Sequence, residues 1–466
     1  MLARIPTLQV LLAAGLATAA LFQKPFSSSH QHPARIGSQT YADQVVLRLA
    51  TQAAEDVQAI TQACEQLNLD VWSITGKHID VRLPESEAID FFKLVPEHLS
   101  KATTQMIPDL GHAIRQNQPH SQIGNFLTEQ VPSINDTFFS EFQTVEAINA
   151  WLSLVVALHK PVADLISLGK TFEGREIQGL KISQPKDMQS GKKKKKNSKR
   201  KVILVHGAQH AREWISVSTV CYLAYSLVAG AAGDQAIARL VRDFDWVFIP
   251  TLNVDGYAYS FEDRLWRKNR QSTSVPYCKG VDLDRNWDYG WDAGQASANA
   301  MSSPCSENYQ GSRPFEAQES RLLSEYIQGI KDDPSQKLVG YLDLHSYAQT
   351  ILYPYALSCD VNVRDEESLI ELGVGASKAM KASSGQHYET ASACNQDGHV
   401  LTSANANSGA ALDWVYHSGV PWSYVVKLRD TGSYGFLVPK EEIVPTGEEM
   451  LDFLKYFGTF ITEHNK

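Results

Sequence analysis

In the stretch His206-Gly207-Ala208-Gln209-His210-Ala211-Arg212-Glu213-Trp214, a histidine and a glutamate stand three residues apart. They fall between a strand pattern over 202–206 and a helical pattern over 214–228. At a strand-to-helix corner, that spacing lets an imidazole nitrogen and a carboxylate oxygen converge on one ion. A zinc site of the two-histidine, one-carboxylate type, with an open position for water, needs one more imidazole. His345 offers it at the end of the strand pattern 338–344, and carboxyl ends of strands in open α/β sheets are where ligands gather. Alone, a His-x-x-Glu pair is common, and a surface salt bridge is its ordinary reading. His206 and His399 read as polar or core residues.

The elements that must position these residues begin near Phe138. From there helical patterns (144–159, 214–228, 315–330, 367–382, 447–462) alternate with strand patterns (177–182, 202–206, 246–252, 338–344, 424–429). That alternation predicts an α/β domain, a sheet with helices on both faces. Ahead of it, residues 41–100 predict a small α+β unit: a strand at 45–49, a helix over 52–67, apolar stretches at 69–75 and 78–83, and a helix opened by Pro84. Residues 22–40 and 101–134 read as a linker and a connecting segment.

Composition sets the outer limits. With 466 residues, 43% apolar and 20% charged, the chain suits two globular domains and excludes a disordered or collagen-like chain. A net charge of −9 excludes a nucleic-acid-binding surface over the whole molecule. Arg4, then an apolar run from Leu8 to Ala20 closing on Ala17-Thr18-Ala19-Ala20, predicts a secretory signal over 1–21. That run is too short for a membrane span. Secretion gives meaning to Asn135-Asp136-Thr137 as a glycosylation acceptor, and to six cysteines as material for two or three bridges. The lysine-rich segment 191–201 reads as a solvated loop, with a polyanion contact or cleavage near Lys199-Arg200 as sharper alternatives.

Longer strings carry a resemblance. Gly174-Arg175-Glu176-Ile177, His210-Ala211-Arg212-Glu213-Trp214-Ile215, Arg264-Leu265-Trp266-Arg267-Lys268, Asp284-Arg285-Asn286-Trp287-Asp288, Leu344-His345-Ser346-Tyr347, Tyr353-Pro354-Tyr355 and Leu428-Arg429-Asp430-Thr431-Gly432-Ser433-Tyr434-Gly435-Phe436 occur in that order. In these strings the chain resembles the zinc metallocarboxypeptidases of the pancreatic carboxypeptidase A/B type. The resemblance implies the zinc carboxypeptidase fold, a mixed central sheet flanked by helices, over 135–466. It also implies an activation-type prodomain at 41–100, lying over the cleft. One zinc ion per chain would be held by His210, Glu213 and His345. Arg267 matches the arginine that stabilises an oxyanion, and Arg285 the one that clamps a peptide's terminal carboxylate. Arg212, Ser346 and Tyr347 match outer substrate subsites. The family's common bridge implies Cys278–Cys305; Cys359–Cys394 is the second expected pair, leaving Cys64 and Cys221 as buried thiols.

Three positions depart from the family. Its general base, a glutamate two residues before the Arg-Asp-Thr-Gly string, is Lys427 here. A protonated lysine has no lone pair with which to accept a proton from water. The asparagine that helps hold the terminal carboxylate is Asp284, which would repel it. The tyrosine that closes over the substrate falls at Asn405. Asp284 and Lys427 are expected to interact across the place a substrate terminus would take. In these changes the chain is similar to the inactive fungal carboxypeptidase-like proteins linked to cell-wall organisation, found in the secretory route and vacuole. The resemblance therefore implies a secreted, zinc-binding pseudoenzyme whose partner is a peptide or protein C-terminus. The alternative is an active carboxypeptidase of altered specificity that removes C-terminal residues from peptides.

Overall fold

The computed structural model describes residues 41–119, 137–184, 199–295, 302–396, 399–400 and 408–464. The expected signal and linker (1–40), Asn135, most of the lysine-rich loop (191–198) and Asn405 lie outside these residues. The chain forms two units, the first ending at Gln116 and the second running on from Asn117.

In the first unit, β1 (Gln44–Ala50) lies between β3 (His78–Pro84) and β4 (Thr103–Ile107), and β2 (Asp70–Ile74) pairs with the outer side of β3, all antiparallel. Alternation along β1 and β3 turns Val45, Leu47, Leu49, Ile79, Val81 and Leu83 into one core. Ile60 and Cys64 of the helix Ala54–Leu67 and Phe91 of the helix Ala88–Leu94 complete it. Asp56 caps the first helix, its carboxylate accepting the N–H groups of Gln52 (2.8 Å) and Ala53 (3.2 Å). The paired residues Arg48 and Asp80 meet as a fork, with two bonds of 2.7 Å. The connecting segment expected from residue 101 is corrected at its start: 103–107 is β4 and Leu110–Asn117 is a helix. β4 pairs on one side only and carries Thr103, Thr104 and Gln105, so no apolar alternation announces it.

The second unit is built on an eight-stranded mixed sheet, as expected. Its strands are β5 (Ala163–Lys170), β6 (Glu176–Ile182), β7 (Arg200–Gly207), β8 (Phe244–Ile249), β9 (Gln336–Ser346), β10 (Thr350–Tyr353), β11 (Glu389–Ser392) and β14 (Trp422–Leu428). Two two-residue strands, β12 (Asn395–Gln396) and β13 (His399–Val400), fall outside it. The order is β11-β10-β14-β9-β7-β8-β6-β5; β14, β9, β7 and β8 run parallel to their neighbours in that stretch, and β10–β14, β8–β6 and β6–β5 are antiparallel. All of β8 and the last six residues of β7 are buried, which is why they read as unbroken apolar runs. The five expected helices form, over Val145–Leu158, Trp214–Gly230, Gln318–Asp332, Glu366–Ser384 and Ile443–His464. Among the described residues no single helix is long and apolar enough to cross a membrane. Cys278–Cys305 and Cys359–Cys394 are bonded, and Cys64 and Cys221 are buried free thiols.

Candidate metal centre

β7 ends at Gly207 against the first turn of the helix Trp214–Gly230. A Cβ at position 207 would lie 2.9 Å from the carbonyl oxygen of Ser216, so glycine permits this close approach of strand end and helix start. The Ser216 hydroxyl donates to Glu213 O (2.7 Å) and accepts from Ala208 N (3.0 Å). Asn253 donates its backbone N–H to Ala208 O (3.0 Å), and Ala211 N–H donates to Arg267 O (2.9 Å). The corner carrying His210 and Glu213 is therefore tied at both ends and buried throughout. His345 comes from the end of β9, the neighbour of β7.

These ties bring the three expected ligands together. His210 Nδ1 lies 2.9 Å from Glu213 Oε1, and His345 Nδ1 lies 3.0 Å from Glu213 Oε2. The two Nδ1 atoms are 3.2 Å apart. Donors bound to zinc at about 2.0–2.1 Å in tetrahedral array stand about 3.3 Å from one another, so the donor set fits the ion. Both imidazoles turn their far nitrogen to a carboxylate: His210 Nε2 to Asp282 Oδ1 (3.1 Å) and His345 Nε2 to Asp343 Oδ1 (3.1 Å). Burial would raise the Glu213 carboxyl, yet His345 and His210 beside it hold it well below the usual carboxylate range. Asp282 is likewise held low against its burial, by Arg267 and His210.

The expected substrate residues that the structure describes have distinct partners. Arg267 and Arg285 converge on Asp282, with Arg267 Nη2 at 2.8 Å and Arg285 Nε at 3.4 Å from Oδ2. Arg212 lies over the ring of Phe436 at 4.3 Å, and Tyr347 meets the same ring edge-on with centroids 5.1 Å apart. Ser346 donates its backbone N–H to Glu213 Oε2 at 3.2 Å. Asp284 accepts the N–H of Ala411 at 3.1 Å, and burial raises its carboxyl above the ordinary value. Gly409, with φ +68°, lets that loop pass: a Cβ there would sit 2.4 Å from Arg285 O. Lys427 is set by register. β14 runs parallel to β9 with Lys427 opposite His345, so the two side chains leave the sheet on the same face.

Sequence reasoning missed Asp282, Asp343 and Phe436. Asp343 carries a readable signal, since it precedes His345 by two residues on a strand and must share its face. Phe436 closes the string that begins at Leu428, and only the packing shows what it touches.

The sequence model of the zinc carboxypeptidases matches residues 148–453. The chain belongs to that family. It is 40% identical to inactive metallocarboxypeptidase ecm14 of Sclerotinia sclerotiorum, over 90% of this chain and 73% of that protein. It is 39% identical to the protein of the same name from Uncinocarpus reesii, over 93% and 76%. These relatives place the chain among the family's pseudoenzymes. The fold is shared with the carboxypeptidase A of Helicoverpa armigera: TM-score 0.74, 24% identity, covering 91% of this chain and 98% of that one.

Proposed function

We propose that the chain is a secreted zinc-binding protein that recognises a peptide or protein C-terminus without hydrolysing it. The observation that carries this reading is the register of Lys427 with His345. The family resemblance implies a glutamate base at that position. An ammonium there accepts no proton, and the loss of general-base catalysis removes about 10²–10⁴-fold in rate. Zinc held by His210, Glu213 and His345 would supply Lewis acidity to an oxygen ligand. Arg267 and Arg285 would bind the ligand's negative charge, and Arg212, Ser346 and Tyr347 its outer residues. Asp284 and Asn405, in place of an amide and a phenol, weaken the grip on a free carboxylate.

The two disulfides support an oxidising compartment, hence the signal at 1–21 and glycosylation at Asn135. The first unit, which has its own core, supports the reading of residues 41–100 as an activation-type prodomain. A part in fungal cell-wall organisation, in the secretory route or vacuole, rests on the family resemblance alone.

The test measures release of C-terminal residues from a peptide panel by zinc-loaded protein, both intact and after limited proteolysis. No turnover by either form, with one zinc per chain, is expected. Zinc-dependent release by either form refutes the reading in favour of an active carboxypeptidase.

A further inference from the structure

The residues behind the ligand His345 form a buried chain that the family resemblance leaves without a role. Tyr341, Asp343 and His345 alternate along β9 and so share one face of the sheet. His206 on β7 is paired in register with Asp343. The Tyr341 hydroxyl and His206 Nε2 are 2.7 Å apart, and the same nitrogen lies 3.5 Å from Asp343 Oδ1. The other carboxylate oxygen, Oδ2, accepts from Gln209 Nε2 at 2.9 Å, and Gln209 adjoins the ligand His210. His206, Gln209, Tyr341 and Asp343 are all fully buried. Asp343 is thus held through Oδ2 by Gln209, and its Oδ1 lies within ion-pair distance of His206 Nε2 (3.5 Å) and His345 Nε2 (3.1 Å).

A histidine that binds a metal through Nδ1 keeps its proton on Nε2, and a carboxylate on that N–H fixes the tautomer, orients the ring and makes the ligand nitrogen more basic. We infer that Asp343, anchored by Gln209 and backed by the His206–Tyr341 pair, is the positioning residue for His345. It keeps Nδ1 aimed at the metal, as Asp282 does for His210. The inference rests on the zinc reading above. It adds that His206 is part of the metal centre's support, where the sequence reads an ordinary core histidine.

The full chain is loaded with zinc and titrated with a competing chelator, for the wild type and for Asp343→Asn, Asp343→Ala and His206→Gln. Outer-shell partners of this kind are typically worth about 10–100-fold in metal affinity. Asp343→Ala is expected to lose affinity in that range. Asp343→Asn keeps an acceptor for the N–H but no charge, and should lose less. His206→Gln should lose least. With cobalt in place of zinc, the visible spectrum of Asp343→Asn should shift from that of the wild type. The melting temperature of the metal-free protein, read in parallel, separates support of the ligand from support of the fold. If Asp343→Ala does not fold, Asp343→Asn decides. Variants that fold and bind zinc within twofold of the wild type, with an unmoved cobalt spectrum, overturn the inference while leaving the zinc site intact. A wild-type chain that takes up no zinc overturns both.

Discussion

Glu319 offers a quantitative test of how this domain holds its buried charge. It is fully buried at the start of the helix Gln318–Asp332. Its Oε2 accepts from Asn269 Nδ2 at 2.8 Å, and Oε1 has no hydrogen-bond partner among the described residues. Burial pushes its carboxyl from 4.5 up to about 7, against the bond from Asn269. The folded state therefore binds a proton that the unfolded chain has released between those two values. The stabilisation is fully present below the unfolded value and is lost as pH rises through the folded one. At about 1.36 kcal/mol per unit, the difference of about 2.5 units gives a cost of roughly 3 kcal/mol above neutrality. Glu319→Gln puts a neutral side chain of the same shape in that place. It should melt with the wild type near pH 4.5 and above it at pH 8. For domains of 150–250 residues, roughly 3 kcal/mol corresponds to about 6–12 °C, and a unit this large should fall at the low end. Thermal scans at one rate, at both pH values and with the same metal content, read the difference. A gain equal at both pH values, or none at pH 8, refutes the argument that an ionised Glu319 is held at a cost.

His210→Ala should abolish stoichiometric zinc, read as metal per chain after mild purification. The zinc-dependent rise in melting temperature should vanish with it, since an ion present at 1,000 times its Kd stabilises by about 4 kcal/mol. Replacing Cys278 and Cys305 by serine opens a loop with a sequence separation of 27 and should cost about 3–4 kcal/mol of thermal stability. Lys427→Glu alone should leave peptidase activity near background, because Asp284 stays an acid where a terminal carboxylate would bind. Lys427→Glu, Asp284→Asn and Asn405→Tyr together should release more product from C-terminal peptide substrates than the single changes combined.

What could be read before the structure followed from burial on both faces and from pattern length. β7, β8, β9 and β14 sit in the interior of the sheet and show as apolar runs, and the five long helices show as periodic ones. β5 is an edge strand with mostly half-exposed or exposed residues, and β10 and β11 have four residues each, so none carries enough periodicity to be seen. The same holds for the helices Val254–Tyr259 and Ala411–His417, although the second supplies the N–H that Asp284 accepts. The cluster of His210, Glu213 and His345 was legible because the residue types and spacing state a chemistry. Of their supports, Asp343 is signalled only by sharing a strand face with His345, and Asp282 acquires meaning only when a histidine nitrogen is found 3.1 Å away.

The separation between support and chemistry also shows in how the residues of this centre are placed. The bonds that fix the corner bearing His210 and Glu213 run through Ser216, Asn253 and the backbone of Arg267. His345 is approached from behind by Asp343. Position 427 reaches the centre by a different route, through the register of β14 on β9, in which backbone pairing is indifferent to the side chain. The strand pairing that places Lys427 would hold equally with another residue at that position. The placement of His210, Glu213 and His345 and the identity of residue 427 are thus set by separate parts of the fold, and the second can vary without undoing the first.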